Sequence, residues 1–438
     1  MLSVSLSAFQ RMVQAFDTSR NYFSSRRYLT RLRGPDQTDE LAALLSTQGE
    51  VSGIVLAQSI LNHYQGLDQE AKTHFLTRLA GDFGVDPAEV VAAAQHYLED
   101  ASAENYRRLM KTAEPPRQEL LRRLNTAPGG TLALVRMRED LLRLKGDERL
   151  AMLDLDFIHL FSSWFNRGFL SVKRVDWSSP AELLERIIRY EAVHSISDWD
   201  DLRQRVSAAD RACYAFFHPV LGDEPLIFIE VALTKTVPGS VQDLLARDRA
   251  AIDPQEAKTA VFYSISNCQP GLKGISFGAF LIKQVLQEMS RNYPKLSTWV
   301  TLSPVPGFAT WLSKQSQRGE VGELYAELET VLELPLAERG DYLKRYDESL
   351  SKAALHYFTE AKHRSGTPYD PVARFHLNNG AKLLNIHTRA DVSDKGLKEA
   401  LGLMVNYQYE PSKMLEHHEA YATEQRVVLA KHLEKQVK

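Results

Sequence analysis

The chain of 438 residues is long enough for two ordinary domains, and its composition, 44% hydrophobic and 25% charged, is typical of globular proteins. Its 53 basic and 56 acidic residues leave a net charge of −3, which excludes a bulk attraction to nucleic acid or to an anionic membrane. The two cysteines, Cys213 and Cys268, exclude a disulfide framework and indicate a reducing compartment.

Residues 1–35 are rich in serine and arginine and contain one acidic residue, Asp17. This composition resembles an organellar transit peptide. The alternative is an amphipathic first helix, with Phe9, Val13 and Phe16 on one face, followed by a basic connector. We expect a cytoplasmic protein, and mitochondrial targeting is the alternative. The most apolar stretch, around 226–233, is too short to span a membrane.

The first third of the chain predicts one helix after another. Asp68 is a typical helix N-cap, and Asp86 followed by Pro87 indicates a second start, because proline suits the first helical position. Strand patterns are nearly absent before about residue 165, and no repeat of fixed period is visible. Residues 1–168 are therefore predicted to form an all-α helical bundle rather than a solenoid.

After residue 168, short β-branched and aromatic runs predict strands that alternate with helical stretches. The residues from Gly222 to Pro225 predict a hairpin turn between the first two strands. Strands alternating with helices indicate a mixed α/β domain over residues 169–438. The predicted strands are 213–218, 226–234, 259–266, 298–303, 383–387 and 401–409.

The segment after the strand 259–266 is rich in glycine and leads directly into a helix. Glycines let the backbone approach an anion, the new helix offers free N–H groups, and Lys273 adds a positive charge. This arrangement suits a pyrophosphate, and the alternative is a plain tight connection. Ser276 also completes a G-x-S-x-G pattern, but a hydrolase nucleophile must lie directly between strand and helix, whereas here a loop intervenes.

Two H-x-x-x-D matches, His194 with Asp198 and His387 with Asp391, resemble an acyltransferase pattern. Two matches in one chain favour chance over catalysis. The histidine pair that begins at His417 lacks the i, i+4 spacing that places two zinc ligands on one helix face. The sequence therefore predicts no metal site.

Ser303 and His376 lie at positions where catalytic residues are often found. Ser303 ends a predicted strand that Pro304 prevents from continuing, and α/β folds place reactive groups at such strand ends. The simpler interpretation is a turn serine. His376 lies in the last turn of a helix predicted between Asp370 and Gly380, where the helix dipole favours a protonated imidazole. A lone histidine there is usually a cap or a core contact.

Six stretches, in the same order along the chain, resemble the malonyl-CoA decarboxylase family. The resemblance is close from about residue 150 to 410 and looser through the N-terminal helices. Several motifs in order are far more specific than any single pattern. The stretches are 190–194 (YEAVH), 262–266 (FYSIS), 302–308 (LSPVPGF), 375–381 (FHLNNGA), 390–393 (ADVS) and 402–409 (GLMVNYQY).

The resemblance implies a helical bundle over 1–168 that mediates self-association, with a homotetramer suspected, and a GNAT-like (acetyltransferase-like) catalytic domain over 169–438. In that fold the acyl-CoA lies between splayed strands, and its pyrophosphate rests on the loop after the fourth strand. Animal members of the family carry an acid where this chain has Ser276. The implied substrate-binding loop comprises Lys273, Gly274, Ile275, Ser276, Phe277, Gly278 and Ala279.

The resemblance also implies the reaction, decarboxylation of malonyl-CoA to acetyl-CoA and CO₂, with Ser303 and His376 as the catalytic residues. Ser303 would anchor the malonyl carboxylate or polarise the thioester, and a protonated His376 would protonate the α-carbon. Asn378 and Tyr409 would be supporting polar groups. No metal, biotin or pyridoxal is expected, because the thioester itself delocalises the charge. No nucleic-acid or membrane partner is expected.

Three other function classes stay open from sequence. A GNAT-type acyltransferase would need an acceptor amine, and a hydrolase acting through Ser276 would release free CoA. A non-catalytic sensor would bind malonyl-CoA without turnover.

Overall fold

The computed structural model describes residues 37–144, 146–165, 167–275, 280–317, 323–364 and 366–437. The predictions made on residues 1–35 and on 276–279 therefore lie outside the described residues. The chain divides into two compact units. One comprises Met1–Trp164 together with Pro270–Ile275, and the other comprises Phe165–Gln269 together with Ser276–Lys438.

The described part of the first unit contains eight α-helices, as the sequence predicts for the N-terminal region. Asp68 Oδ1 accepts a hydrogen bond from Ala71 N at 2.9 Å, and Asp86 Oδ1 accepts one from Ala88 N at 2.8 Å, which confirms both predicted N-caps. Leucine side chains with little or no exposure form most of the core between the helices. The helices are α1 (Gln37–Ser46), α2 (Glu50–Gly66), α3 (Gln69–Asp82), α4 (Pro87–Glu99), α5 (Ala103–Ala113), α6 (Pro116–Asn125), α7 (Gly130–Arg143) and α8 (Glu148–Trp164).

The second unit is built on an eight-stranded sheet with the order β1-β2-β3-β4-β5-β8-β6, in which β7 also pairs with β8. All described pairs are antiparallel except β4 with β5. The predicted hairpin is confirmed, since β2 and β3 are antiparallel neighbours in the sheet. The strands are β1 (Ser171–Val175), β2 (Arg211–Phe217), β3 (Pro225–Thr234), β4 (Thr259–Asn267), β5 (Thr298–Thr301), β6 (Ser303–Pro304), β7 (Lys382–His387) and β8 (Met404–Gln408).

Helices connect these strands, and the mixed α/β class predicted from sequence is confirmed. None of the helices in the described ranges combines the length and the apolar character that crossing a bilayer requires. The helices of this unit are α9 (Ala181–Tyr190), α10 (Trp199–Ser207), α11 (Val241–Leu245), α12 (Phe280–Asn292), α13 (Phe308–Gln317), α14 (Glu323–Glu333), α15 (Leu336–Leu343), α16 (Asp347–Thr359), α17 (Pro371–Asn378), α18 (Asp394–Ala400), α19 (Met414–Glu424) and α20 (Lys431–Val437).

The parallel strands β4 and β5 separate partway along their length. They pair as far as Phe262 and Thr301, and Leu302 N donates to Phe262 O at 3.0 Å just beyond. The chain then turns into β6, which pairs with β8, whereas β4 continues beside β3. A β-bulge places Tyr263 as an extra residue on β4 at the point of separation. This opening agrees with the splayed strands that the family resemblance implies.

Two strand predictions were incomplete. The strand β1 was not predicted, because it is an edge strand whose side chains are mostly exposed and no apolar run marks it. The predicted strand at 401–409 begins too early, because Leu401 has φ +54° and caps α18 in the left-handed conformation. The strand itself starts at Met404.

Glu230 is a fully buried acid in the middle of β3. One carboxylate oxygen accepts a hydrogen bond from Arg205 Nη1 at 3.3 Å. Burial, followed by the charge of nearby Glu191, raises the pKa of Glu230 to about 8. The carboxyl group is therefore largely protonated near neutral pH.

Replacing Glu230 with glutamine is expected to flatten the pH dependence of the free energy of unfolding. The folded-state pKa of Glu230 lies above that of the unfolded chain, about 4.3. Protonation of Glu230 therefore makes its full contribution to the free energy of unfolding below about pH 4. This contribution is lost as the pH rises towards 8, by up to about 1.4 kcal/mol per pH unit. Glutamine cannot ionise, so denaturation curves between about pH 5 and pH 8 should show a smaller decline. The exposed Glu185→Gln variant should keep the wild-type decline, and an unchanged decline in Glu230→Gln would contradict this account.

Candidate active site

Ser303 is held where the chain leaves β5 and enters β6. Its backbone pairs with Val405 of β8, and its side chain is 5% exposed. Thr301, two residues earlier and therefore on the same face of an extended chain, is fully buried. Thr301 O accepts a hydrogen bond from Asn406 Nδ2 at 2.7 Å, so β8 also holds the main chain two residues before the serine.

His376 is positioned by the short helix α17. Asp370 caps the helix by accepting a hydrogen bond from Ala373 N at 2.7 Å, as predicted. Gly380 ends the turn after the helix with φ +78°, and a Cβ there would lie 2.1 Å from Met414 O. Only glycine suits this combination of conformation and close approach. The last turn of the helix thus carries the His376 imidazole into the interior, where it is 2% exposed.

Four buried side chains form a continuous hydrogen-bonded chain. His376 Nδ1 lies 2.7 Å from Tyr409 Oη, and His376 Nε2 lies 3.1 Å from Ser303 Oγ. Ser303 Oγ in turn donates to Thr301 Oγ1 at 2.8 Å. Thr301 Oγ1 also accepts from Tyr407 N at 3.1 Å. The structure therefore brings together three residues predicted from sequence, Ser303, His376 and Tyr409.

The number of protons that each side chain carries fixes which atoms donate in this series of hydrogen bonds. A serine hydroxyl has a single proton, and Ser303 donates it to Thr301, so His376 Nε2 is the donor to Ser303 Oγ. A neutral imidazole carries one N–H group, so its Nδ1 accepts from the Tyr409 hydroxyl. His376 consequently presents an N–H donor, and not a lone pair, to the serine.

The prediction of a protonated His376 is wrong for the free protein. Burial lowers the pKa of His376 to about 3, because the imidazolium would lose its hydration. The dipole at the C-terminal end of α17 stabilises a positive charge, but this stabilisation is typically smaller than the free-energy cost of the desolvation. The pKa of Tyr409 is raised by the same burial, so both groups are neutral over the physiological range.

Aromatic rings enclose the imidazole. Tyr407 stacks on His376 with ring centroids 4.6 Å apart and planes at 24°, and Phe375 contacts it edge-on at 5.1 Å. Phe262, at the separation of β4 and β5, contacts the Tyr409 ring edge-on at 6.4 Å. The surroundings are apolar, and electrostatic interactions inside them are stronger than in water.

Thr301 and Tyr407 also belong to this site, and neither was predicted from sequence. Each stands two residues before a residue that was predicted, Ser303 and Tyr409 respectively. The two-residue period of a strand places such pairs on one face, and this was the available signal. Both segments were predicted as strands, so the two-residue period could have been applied to them from sequence alone.

Asn378, proposed from sequence as a supporting polar group, is not among the side chains of the buried hydrogen-bonded chain. It is exposed at the end of α17, and its carbonyl accepts a hydrogen bond from His418 Nδ1 at 2.7 Å. The next residue, Asn379, is the buried one, and its Nδ2 donates to Phe375 O at 2.6 Å. Each residue of a helix turns by about 100°, so a one-residue difference separates the two faces.

The described part of the predicted phosphate loop comprises Lys273, Gly274 and Ile275. The Lys273 side chain is exposed, Gly274 has φ +84°, and Ile275 is buried. A short 3-10 helix at Pro270–Leu272 separates this loop from β4, so strand and loop are not joined in the way a nucleophile elbow requires.

The two H-x-x-x-D matches do not form histidine–aspartate pairs within themselves. Nearby Asp391, from the second match, raises the pKa of His194, but burial dominates and lowers it to about 4. His387 Nε2 lies 2.5 Å from Asn406 Oδ1. Within the described ranges, no group of three or more histidine, cysteine, aspartate or glutamate side chains is arranged to hold a metal ion.

Two family models match the chain. The model described as Malonyl-CoA decarboxylase C-terminal domain matches residues 168–438, and the model described as Malonyl-CoA decarboxylase N-terminal domain matches residues 83–165. Among relatives, mitochondrial malonyl-CoA decarboxylase of the goose Anser anser anser is 34% identical over 396 residues, covering 80% of this chain and 76% of its own. The mouse protein of the same name is 34% identical, covering 80% and 78%.

Two solved structures are similar over nearly their whole length. Malonyl-CoA decarboxylase from Rhodopseudomonas palustris superposes with a TM-score of 0.85 at 49% identity, covering 90% of this chain and 98% of its own. The protein of the same name from Agrobacterium vitis gives a TM-score of 0.83 at 45% identity, covering 91% and 98%.

Proposed function

This chain belongs to the malonyl-CoA decarboxylase family, and from that premise we propose that it converts malonyl-CoA to acetyl-CoA and CO₂ at the Ser303–His376 pair. The observation that carries the proposal is the buried chain of hydrogen bonds from Tyr409 through His376 and Ser303 to Thr301. It supplies polar groups in an otherwise apolar enclosure, where a developing charge is best stabilised.

The reaction sets three requirements. When the bond between the α-carbon and the carboxylate breaks, its electron pair moves to the α-carbon and is delocalised onto the thioester oxygen as an enolate. The enzyme must hold the carboxylate, offer a hydrogen-bond donor to the enolate oxygen, and deliver a proton to the α-carbon. The net reaction consumes one proton, which solvent finally supplies.

In our proposal Ser303 turns its hydroxyl from Thr301 to the substrate, where it anchors the carboxylate or polarises the thioester. His376 delivers its Nε2 proton to the α-carbon as general acid. The imidazole does not become an anion, because Tyr409 passes its hydroxyl proton to Nδ1 in the same step. Solvent then restores the Tyr409 proton. A neutral acid suits this step, since the burial of His376 opposes a positive charge.

One incubation tests the function against its alternatives. The protein is mixed with malonyl-CoA, with and without an acceptor amine, and CO₂, free thiol and acetyl-CoA are followed together. Decarboxylation releases CO₂ and acetyl-CoA in equal amounts without free thiol and without need of the amine. Amine-dependent free thiol would instead establish an acyltransferase, amine-independent free thiol a hydrolase, and binding without any product a sensor.

We also propose that the loop from Lys273 to Ala279 receives the phosphates of CoA. The exposed Lys273 ammonium group supports this, because phosphate oxygens accept strong charge-assisted hydrogen bonds. Gly274, with φ +84°, gives the turn that a close backbone approach needs.

Lys273→Ala is expected to raise KM for malonyl-CoA by about tenfold, since one charge-assisted hydrogen bond is lost. Malonyl-pantetheine, which carries the same thioester without the adenosine and its phosphates, should react equally well with the variant and the wild type. Steady-state kinetics with both substrates check this, with the exposed Lys295→Ala variant as the control. An unchanged KM for malonyl-CoA would show that Lys273 does not contribute to substrate binding.

We further propose that residues 1–168 form a domain that mediates self-association, with a homotetramer as the assembly, and that residues 169–438 form the catalytic domain. The pair α4 and α5 supports this role, because α5 has no buried residue and α4 buries only Ala93. Leu98 is 84% exposed, and Met110 and Tyr106 are each more than half exposed. A second copy of this chain would remove these apolar side chains from water.

The double variant Leu98→Glu, Met110→Glu is expected to reduce the molar mass in solution, because two buried charges would oppose the contact between copies. Light scattering coupled to size-exclusion chromatography measures the mass. Leu415→Glu, at a residue that is 72% exposed in the second unit, is the matched control and should leave the mass unchanged. A double variant with the wild-type mass would exclude this surface as the interface.

We propose that the protein is cytoplasmic, with a mitochondrial location as the alternative. Cys213 and Cys268 are both buried and form no disulfide, which agrees with a reducing compartment. The vertebrate relatives are named as mitochondrial, whereas the similar solved structures come from bacteria. Fractionation of the source cells, followed by immunodetection, tests the placement.

A further inference from the structure

The segment between β4 and α12 packs as part of the helical unit. Pro270–Ile275 groups with Met1–Trp164, although both the preceding strand and the following helix belong to the other unit. Arg138, on α7, is the side chain that holds this segment. It is 1% exposed, and its Nη1 donates to Gly271 O at 2.8 Å and to Lys273 O at 2.8 Å.

The arginine is itself fixed in place. Arg138 Nε donates to Asp154 Oδ1 at 2.7 Å, so the guanidinium charge is paired. A planar guanidinium offers donors in a rigid arrangement, and here one edge binds the carboxylate of α8 while Nη1 binds the two carbonyls. Lysine, a compact point charge on a flexible stem, could not reproduce these contacts together.

The backbone of Gly271 lies directly against α7. A Cβ on Gly271 would stand 1.9 Å from Val135 O and 2.8 Å from Val135 C, which no side chain can do without moving the segment. The neighbouring Leu272 and Ile275 side chains are buried, at 4% and 6% exposure. The segment is thus held by close packing as well as by the two hydrogen bonds, and the exposed Lys273 side chain projects from it.

We propose that Arg138 is a positioning residue for the phosphate end of the substrate, acting through Lys273. Arg138 binds the carbonyls of Gly271 and Lys273 itself, so it fixes the backbone from which the Lys273 ammonium group extends. This inference rests on the proposed role of Lys273 in binding CoA phosphates. It assigns to the helical unit a part in substrate affinity that is separate from self-association.

The experiment compares Arg138→Met and Gly271→Ala, two variants that disturb the segment by independent routes. Each is expected to raise KM for malonyl-CoA about five- to tenfold while kcat stays within twofold of wild type, because loss of one or two hydrogen bonds moves Lys273 and not the reacting groups. KM for malonyl-pantetheine should not change. Arg138→Lys, which keeps the charge without the fixed arrangement of donors, should fall between Arg138→Met and wild type.

A matched control separates positioning from general stability. Arg117 is another buried arginine of the same unit, paired with Asp156 and donating to Ala80 O at 2.9 Å, and it makes no described contact with the segment. Arg117→Met should destabilise the fold, seen as a lower Tm, without changing the ratio of the two KM values. An equal change of that ratio in Arg117→Met and Arg138→Met would overturn the proposal.

The failure of this inference is distinguishable from failure of the proposed phosphate site. If Lys273→Ala itself leaves the KM ratio unchanged, the phosphate site is wrong. If Lys273→Ala changes the ratio but Arg138→Met and Gly271→Ala do not, only the positioning role is wrong. In the double variant Lys273→Ala, Arg138→Met, KM for malonyl-CoA should equal that of Lys273→Ala alone, because Arg138 acts through the lysine. If the increase in KM equalled the product of the two single increases, Arg138 would act independently of Lys273.

Discussion

Replacing His376 with alanine is expected to lower kcat for malonyl-CoA by about 10²–10⁴-fold, the range that a positioned general acid contributes. The KM should change much less, because the imidazole acts on the α-carbon after substrate has bound. Steady-state measurement of CO₂ release gives both constants. His418→Ala removes an exposed histidine that bonds to the end of the same helix, and it should retain kcat within twofold.

The pH dependence of kcat/KM adds a second test of His376. Its pKa lies at about 3 in the free protein, far below the usual value of a histidine. The imidazole is therefore expected to be neutral over the physiological range and to produce no ionisation near pH 6.5. A loss of kcat/KM above about pH 6.5 that disappears in His376→Ala would show that the protonated form is required.

Ser303→Ala is expected to lower kcat by about 10²–10³-fold, the usual cost of removing one donor aimed at a developing oxyanion. The variant also leaves His376 Nε2 and Thr301 Oγ1 without their common partner. Ser303→Thr keeps a hydroxyl and should recover part of the rate. Circular dichroism and Tm establish that each variant is folded.

The double variant Ser303→Ala, His376→Ala should be about as slow as the slower single variant. Residues that act as one unit do not contribute independent factors, because losing either disables the shared step. A rate equal to the product of the two single effects would mean that Ser303 and His376 serve separate steps. Activity near wild type in either single variant would remove that residue from the mechanism.

Interactions between residues close together in the sequence made much of the fold predictable. Asp68 and Asp86 accept the capping hydrogen bonds that their positions indicated, and the α17 helix has the predicted cap at Asp370 and glycine at Gly380. Capping depends on residues within one turn, and sequence contains all of that information. The edge strand β1 was missed because burial on one face is the signal of a strand, and most of its side chains are exposed.

The charge state of His376 could not be predicted in the same way. The sequence shows that the residue is in the last turn of a helix, and this alone favours the imidazolium. Burial of the imidazole among rings such as Tyr407 and Phe375 lowers its pKa instead, and this burial depends on which strands become neighbours. That Asn379, and not Asn378, is the buried asparagine could not be predicted either, since the ends of a two-turn helix do not fix which of its faces is buried.

Pro270–Ile275 belongs to the helical unit, although the residues before and after it in the sequence belong to the second unit. Cleaving the chain at a single point therefore cannot separate the two units. A fragment that begins at Phe165 would carry Leu272 and Ile275 without the helices that cover them, and would expose both side chains to water. We therefore expect such a fragment to be prone to aggregation and to be cleaved first, under limited proteolysis, between Gln269 and Ile275. Coexpression with the helical fragment should protect the same bonds, which makes proteolytic protection a measure of complementation between the two pieces.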